Sequence, residues 1–184
     1  MKQLACAIFI LSAFTVRAQT KQTNTSARYV LIKATNEIPG SINHAAIKKL
    51  DEPLLAIAAY YSGLGGSNCN QDDSTYVETC DLTTALGLGR QGSEKQLALI
   101  RKWFPGDKAA KQLLAQQCYQ RPSGASSFSD YDYLSLTRRG DTVLINYRLT
   151  IYERGEILTV KGPDKAVIKN GHIIVLKRSI WKDM

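Results

Sequence analysis

The chain has 184 residues, a formal net charge of +8 and 22% charged residues. Its length is that of one ordinary domain with a sizeable core. Basic residues are spread along the chain without the concentrated footprint of a nucleic-acid-binding protein, so we expect anionic partners in general but no nucleic acid.

The first 18 residues have the pattern of a secretory signal peptide. Lys2 precedes a run of about 13 apolar residues from Leu4 to Val16, and Val16-Arg17-Ala18 fits the small-x-small pattern before a cleavage site. The run is shorter than the roughly 20 residues of a membrane-spanning helix. We therefore expect cleavage near Ala18, export to the periplasm or the cell exterior, and no membrane span.

Three cysteines, Cys69, Cys80 and Cys118, follow the predicted cleavage site and the polar lead-in after it. Residues 19–26 are typical of a disordered segment, and residues 27–184 are predicted to form a single domain. Because an exported protein meets an oxidising compartment, we expect one disulfide. Cys69 and Cys80 bracket a short polar segment and are the predicted pair. A bond between Cys80 and Cys118, or three buried thiols, are the alternatives.

The first part of this domain, residues 41–121, is predicted to be mainly helical. It follows an apolar run, Ala27 to Thr35, which has the length of a strand but is also compatible with a helix entry. The segment 74–86 is ambiguous, with a helix slightly favoured because Gly87 can end it. Four polar residues stand where a helix N-cap is expected, namely Ser41, Asp51, Ser93 and Asp107.

From Tyr131 onward the periodicity is that of β-strands. Residues 142–153 alternate between apolar and polar side chains, which indicates one long half-buried strand, and Asn170-Gly171 is a hairpin signal. Gly162-Pro163-Asp164 is predicted as a further turn. The sequence therefore predicts an α+β fold, in which a mainly helical first part packs on a curved antiparallel β-meander of about four to five strands within residues 131–178.

Gly87, Gly89 and Gly92 stand in the order G-x-G-x-x-G before a predicted helix. A dinucleotide-binding fingerprint needs an apolar strand before the first glycine. The preceding residues, TCDLTTAL, are too polar for a central parallel strand. We interpret the glycines as positive-φ residues of a turn between two helices and expect no cofactor.

Metal ligands are not arranged in a recognisable pattern. Residues 68–79 begin like a calcium-binding loop, but Asp73 stands where that loop needs glycine and Thr79 where it needs a bidentate glutamate. His44, in a predicted helix, and His172, at a predicted strand start, lack the spacing of a zinc site. We predict no metal site.

A catalytic signature is also missing from the sequence. It contains no G-x-S-x-G motif, and acid pairs such as Asp130 with Asp132 are expected to be loop or cap carboxylates. We predict no catalytic residue.

Aromatic side chains are concentrated near the predicted sheet. Tyr133, Tyr147 and Tyr152, together with Arg148, are the predicted ligand-binding residues, because they combine apolar bodies with polar tips. Ordinary cross-strand packing is the alternative. The sequence is most compatible with an exported, non-catalytic binding protein for a small molecule, an envelope component or another protein. An envelope hydrolase or isomerase using a cleft carboxylate or histidine is one rival, and a secreted protein-neutralising or inhibitory partner is the other.

Overall fold

The computed structural model describes residues 26–36, 40–64, 82–116, 128–153 and 156–179. The predicted signal peptide, nearly all of the predicted lead-in, the calcium-like segment and the three cysteines Cys69, Cys80 and Cys118 lie outside the described residues.

The described residues form short helices and one antiparallel sheet. The helices are α1 (His44–Ile47), α2 (Glu52–Leu64), α3 (Leu82–Ala85), α4 (Glu94–Trp103) and α5 (Lys108–Gln116). The strands are β1 (Ala27–Lys33), β2 (Ser41–Ile42), β3 (Phe128–Arg139), β4 (Thr142–Glu153), β5 (Glu156–Lys161), β6 (Asp164–Lys169) and β7 (His172–Lys177).

All strand pairings in the described residues are antiparallel, and the sheet order is β2-β1-β3-β4-β6-β7, with β5 also paired to β4. The predicted α+β class with a C-terminal meander is thus confirmed. The apolar run that begins at Ala27 is a strand, β1, and it joins the same sheet beside β3.

Strand β4 is long enough to pair with two successive strands. Its second half pairs with β5 and its first half with β6, and both pairings are antiparallel. The chain therefore keeps its direction between β5 and β6, and the turn predicted at Gly162-Pro163-Asp164 is not a reversal. The backbone N–H of Gly162 still donates to Tyr147 of β4, at 3.0 Å. The close approach explains the glycine, because a Cβ there would lie 2.8 Å from the Tyr147 ring.

Three of the four predicted N-caps are confirmed by hydrogen bonds. Side-chain oxygens of Asp51, Ser93 and Asp107 accept from the backbone N–H three residues later, at 3.2, 3.3 and 2.8 Å. The prediction for Ser41 was wrong, because Ser41 lies in β2, where it pairs with β1. Asn43 caps α1 instead.

The core lies between the sheet and α2, whose residues from Ala56 to Leu64 are all buried. Alternate residues of β4 face it, and Val143, Ile145 and Leu149 are fully buried. This matches the predicted half-buried strand, because the intervening residues Leu144, Asn146 and Arg148 are partly exposed.

The three glycines of the G-x-G-x-x-G sequence form the connection between α3 and α4. Gly87, Gly89 and Gly92 have φ angles of 75°, 87° and 77°, a region that favours glycine. A helix precedes Gly87 where a dinucleotide fingerprint requires a strand. The interpretation as a turn between helices is therefore confirmed.

Candidate functional site

A β-bulge in β3 shapes one end of the sheet. Tyr131 pairs with Leu149 and Tyr133 pairs with Arg148, so two steps along β3 match one step along β4 and Asp132 is the extra residue. The hydroxyl of Tyr131 points to the helices and donates to the Tyr61 carbonyl at 2.9 Å. Asp132 bonds to side chains on the opposite side of the sheet, which we call the outer face.

The carboxylate of Asp132 is held by one of its two oxygens. Its Oδ2 accepts from Arg148 Nε at 2.6 Å and from the Thr150 hydroxyl at 3.1 Å. Its Oδ1 is buried and has no hydrogen-bond partner among the residues that the structure describes. The Asp132 side chain is 4% exposed, whereas that of Arg148 is 42% exposed. A buried acceptor without a donor is costly and uncommon in folded proteins, so this oxygen needs an explanation.

Gly40 packs against the backbone of β3 at Asp132, in addition to the pairing of β3 with β4. A Cβ at Gly40 would lie 2.2 Å from the Asp132 carbonyl oxygen and 2.7 Å from the carbonyl oxygen of Lys33. The Gly40 N–H donates to the Tyr131 carbonyl at 3.1 Å. Only glycine allows this approach, and the bulge is therefore fixed from two sides, by β4 and by Gly40.

Asp130 adds a second carboxyl group to the same region. It pairs with Thr150, whose hydroxyl donates to Asp132. Burial raises the pKa of Asp130 above its ordinary value, and the negative charge of Asp132 raises it further. We call Asp130, Asp132, Arg148 and Thr150 the Asp132 cluster. It combines two acids and one partly exposed cation.

A second set of polar contacts continues along the outer face. The Tyr133 hydroxyl donates to the Ser135 hydroxyl at 2.9 Å and accepts from Arg28 at 2.6 Å. Ser135 is fully buried, while Tyr133 is half-buried. These bonds fix the Tyr133 ring next to Arg148, its register neighbour on β4.

The structure describes the side chains of three of the four predicted ligand-binding residues, Tyr133, Tyr147 and Arg148, and that of Tyr152 lies outside the described part. Tyr133 and Arg148 lie on the outer face, beside each other. Tyr147 faces α2, is 3% exposed and donates to Asp164 at 3.2 Å. Tyr152 lies in β4 opposite Phe128. Among the three of these side chains that the structure describes, Tyr133 and Arg148 lie together at the Asp132 cluster and Tyr147 does not.

Asp164 has a buried environment that is distinct from this cluster. It is fully buried and accepts hydrogen bonds from the Tyr61 hydroxyl at 2.6 Å and from the Ser179 backbone N–H at 2.6 Å, besides the bond from Tyr147. Burial, and then the charge of Asp164, raises the pKa of Tyr61 well above its ordinary value. These bonds attach β6 and the residues after β7 to α2, which is a structural role.

The same end of the chain is attached to α5. Arg178 forms an ion pair with Asp107, the residue that caps α5, and its guanidinium lies 5.5 Å from the centre of the Tyr60 ring. The Tyr60 hydroxyl also donates to Asp107 at 2.9 Å. The two contacts of Arg178, with Asp107 and with Tyr60, place the segment after β7 against the helices.

The histidines lie in the elements in which they were predicted. His44 is the first residue of α1, and His172 is the first residue of β7. Among the residues that the structure describes, no three His, Cys, Asp or Glu side chains are grouped as metal ligands. Within the same residues, every helix is too short or too polar to cross a membrane.

Sequence reasoning missed Asp132, Thr150 and Gly40 as parts of a site. Asp130 and Asp132 were expected in a loop or cap, but both lie in β3. Their two-residue spacing was the available signal, because it places two side chains on one face of a strand. Neither the bulge nor the approach of Gly40 has a signature in the sequence.

The chain matches no protein-family model, and neither a curated protein nor a solved structure is significantly similar to it.

Proposed function

We propose that this protein is an exported, non-catalytic binding protein whose ligand site is the Asp132 cluster. The observation that supports the site is the buried Oδ1 of Asp132, which lacks a partner within the described part of the chain, beside a partly exposed Arg148. A ligand group that donates a hydrogen bond to this oxygen removes the cost of leaving it unpaired. Export is supported by the signal-peptide pattern before Ala18.

The charges of the cluster define the ligand's chemistry. Asp130 and Asp132 favour an ammonium group or another donor. Arg148 uses its Nε for Asp132, and within the described residues its terminal nitrogens have no further partner, so they can bind a carboxylate. A small zwitterion, with an ammonium and a carboxylate group close together, matches both requirements. We propose amino-acid-like molecules as the ligand class.

Thermal unfolding with matched probes tests this proposal. The twenty amino acids are compared with propionate and ethylamine, which each carry one of the two charged groups of alanine. We expect at least one amino acid to raise the midpoint in a saturable manner, because a ligand that binds only the folded state stabilises it. Propionate and ethylamine should have little effect.

Arg148→Gln is the variant that should abolish this response, and Arg138→Gln is its matched control. Arg138 lies on the same sheet, in β3, and pairs with Asp51 instead of the cluster. A response that persists in Arg148→Gln, or that propionate or ethylamine reproduces alone, would place binding elsewhere. No response to any amino acid would rule out the proposed ligand class.

Acid–base catalysis in an envelope hydrolase or isomerase is a second candidate, favoured by the two acids alone. Asp132 is bonded to Arg148, whereas Asp130 has a raised pKa, and two acids in different environments are typical of an acid–base pair. Hydrolysis of nitrophenyl esters and glycosides by the wild type, lost in Asp130→Asn, would favour the enzyme. Equal rates in both proteins would exclude Asp130 as the acid.

A further inference from the structure

Strand β7 forms one open edge of the sheet. Within the described residues it pairs only with β6, and its other side carries no backbone partner. An edge strand presents unpaired N–H and C=O groups along its length, and an extended chain can pair with them. Strand β7 is therefore geometrically able to accept another strand.

The surface around this edge is basic. From Ile157 to Arg178 the sequence contains five Lys or Arg residues and a single acid, Asp164. Asp164 is fully buried, so it does not offset these charges at the surface. Lys165 pairs with Lys177 and Lys169 with His172, which places cationic side chains at both ends of the β6–β7 pair.

Exposed aliphatic side chains occur on the same strands. Among the described residues, the large hydrophobic side chains that are exposed are Ile157, Leu158, Ile174 and Leu176, at 66%, 48%, 48% and 57%. All four lie in β5 or β7. Ile174 pairs with the half-buried Val167, between the Lys165–Lys177 and Lys169–His172 pairs. Along one face, the β6–β7 pair thus has lysines at both ends and the aliphatic Val167 and Ile174 between them.

Lysines on an edge strand commonly protect it from self-association, and this explains part of the pattern. It does not explain two exposed aliphatic residues, Ile174 and Leu176, on the same strand. A second copy of β7 would bring like charges together, which is unfavourable. A partner strand in which acids and aliphatic residues alternate along one face, at every second position, has the complementary charge and the matching apolar contacts.

We infer that β7 is a docking edge for an extended acidic segment of another polypeptide, which adds to the sheet as a further strand. Its backbone pairs with the open side of β7, its acids contact Lys165, Lys169 and Lys177, and its aliphatic side chains contact Ile174. This inference is independent of the proposed zwitterion site, which lies on β3 and β4.

The binding probe is a capped, fluorescein-labelled peptide in which Glu and Val alternate at every second position with Thr between them, so that both face the same side of the added strand; its binding to the full exported chain is measured by fluorescence anisotropy. The same peptide with Lys in place of Glu tests charge. A version methylated at alternate backbone nitrogens tests strand addition, because it keeps the side chains and removes backbone donors. We expect binding of the Glu–Val peptide alone, with an affinity that falls as salt rises.

The double variant Lys165→Glu/Lys177→Glu should bind the peptide at least about tenfold more weakly. The matched control is Lys48→Glu/Lys49→Glu, which makes the same charge change at exposed lysines directly after α1. Helix α1 contacts β1, near the opposite end of the sheet. The control and Arg148→Gln should both bind like the wild type, and Arg148→Gln separates this edge from the zwitterion site.

Amide hydrogen exchange gives a second readout that does not depend on the charge variants. Peptide binding should slow exchange in residues 172–177. The inference is overturned if the Glu–Val peptide does not bind, or if the methylated peptide binds equally well. It is also overturned if the two lysine double variants weaken peptide binding to the same extent. Binding of phosphatidylserine vesicles in place of the peptide, or dimerisation through β7, would also overturn it.

Discussion

Arg148 Nε donates a 2.6 Å hydrogen bond to Asp132 Oδ2, and Oδ1 of the same carboxylate is buried without a partner in the described ranges of the chain. The bulge of β3 produces this arrangement, because it places Asp132 at an extra position opposite β4. A half-satisfied buried carboxylate is a cost to the folded state in the absence of a ligand. We therefore regard Asp132 and Arg148 as the centre of the proposed binding site.

Arg148→Gln should destabilise the protein by about 1–3 kcal/mol, because it leaves the Asp132 carboxylate buried with only the Thr150 hydroxyl as donor. Urea unfolding measures this change. Arg138→Gln, which breaks the more exposed pair with Asp51, should cost under about 1 kcal/mol. Equal losses in the two variants would mean that burial of Asp132 adds nothing to the Arg148 contact.

Gly40→Ala should cost about 1–3 kcal/mol, since the added Cβ cannot be accommodated against the Asp132 carbonyl without a backbone shift. Gly106→Ala is the matched control, because a Cβ there has no neighbour within 4 Å. Urea unfolding of both variants compares the two sites. We also expect Gly40→Ala to weaken ligand binding, because the shift displaces the bulge. Unchanged stability in Gly40→Ala would contradict the described approach of the two segments.

The overall fold was largely predictable from the sequence, because its signals are local. Asp51, Ser93 and Asp107 each cap a helix from a fixed position, and the alternation in residues 142–153 depends only on the two-residue period of a strand. Ser41 failed as a cap because pairing with β1 determined its conformation. Tertiary pairing here overrode a local preference.

The candidate site was only partly predictable, because it depends on register and close approach. Tyr133 and Arg148 were identified as aromatic and cationic residues of the sheet, but the same alternation placed Tyr147 on the opposite face. Asp132 enters the site through a bulge, which requires knowledge of its partner strand. Gly40 contacts it from a distant part of the sequence, which no local pattern reports.

The raised pKa of Asp130 predicts a pH dependence with a defined sign. The unfolded chain loses this proton near the ordinary value of 3.8, whereas the folded chain retains it to higher pH. The contribution to the free energy of unfolding is therefore complete below the unfolded pKa and is lost as the pH rises through the folded pKa. Asn cannot ionise, so Asp130→Asn should gain stability relative to the wild type as the pH rises from 3.8 through the folded pKa of Asp130.

Glu52→Gln provides a control of opposite sign. A hydrogen bond from Lys102, followed by one from Trp103, lowers the pKa of Glu52. Its contribution is present above the unfolded pKa and is lost as the pH falls through the folded pKa. Relative to the wild type, Glu52→Gln should lose stability as the pH rises through the folded pKa of Glu52 to 4.5, and this loss should then stay constant at higher pH. Urea unfolding at several pH values measures the free energy of unfolding of each variant relative to the wild type. If this difference changes with pH in the same direction for Asp130→Asn and Glu52→Gln, the assignment for Asp130 is refuted.

Gly87→Ala should destabilise the protein by about 1–2 kcal/mol, because its φ of 75° is unfavourable for a residue with a Cβ. Space is not the cause, since a Cβ at Gly87 would have no neighbour within 4 Å. Thermal unfolding measures the loss. Neither the wild type nor the variant should show saturable binding of NAD or ATP in calorimetry. Saturable binding by the wild type would contradict the assignment of this loop as a helix connection.

The most direct test of the proposed binding function is native mass spectrometry of the full chain, exported under its own leader, for the wild type and Arg148→Gln. We predict that the wild type retains a small co-purified adduct with the mass of an amino-acid-like molecule, that denaturation releases it, and that Arg148→Gln lacks it. A bare wild-type mass, or an adduct retained equally by both proteins, would contradict a ligand site at Asp132 and Arg148.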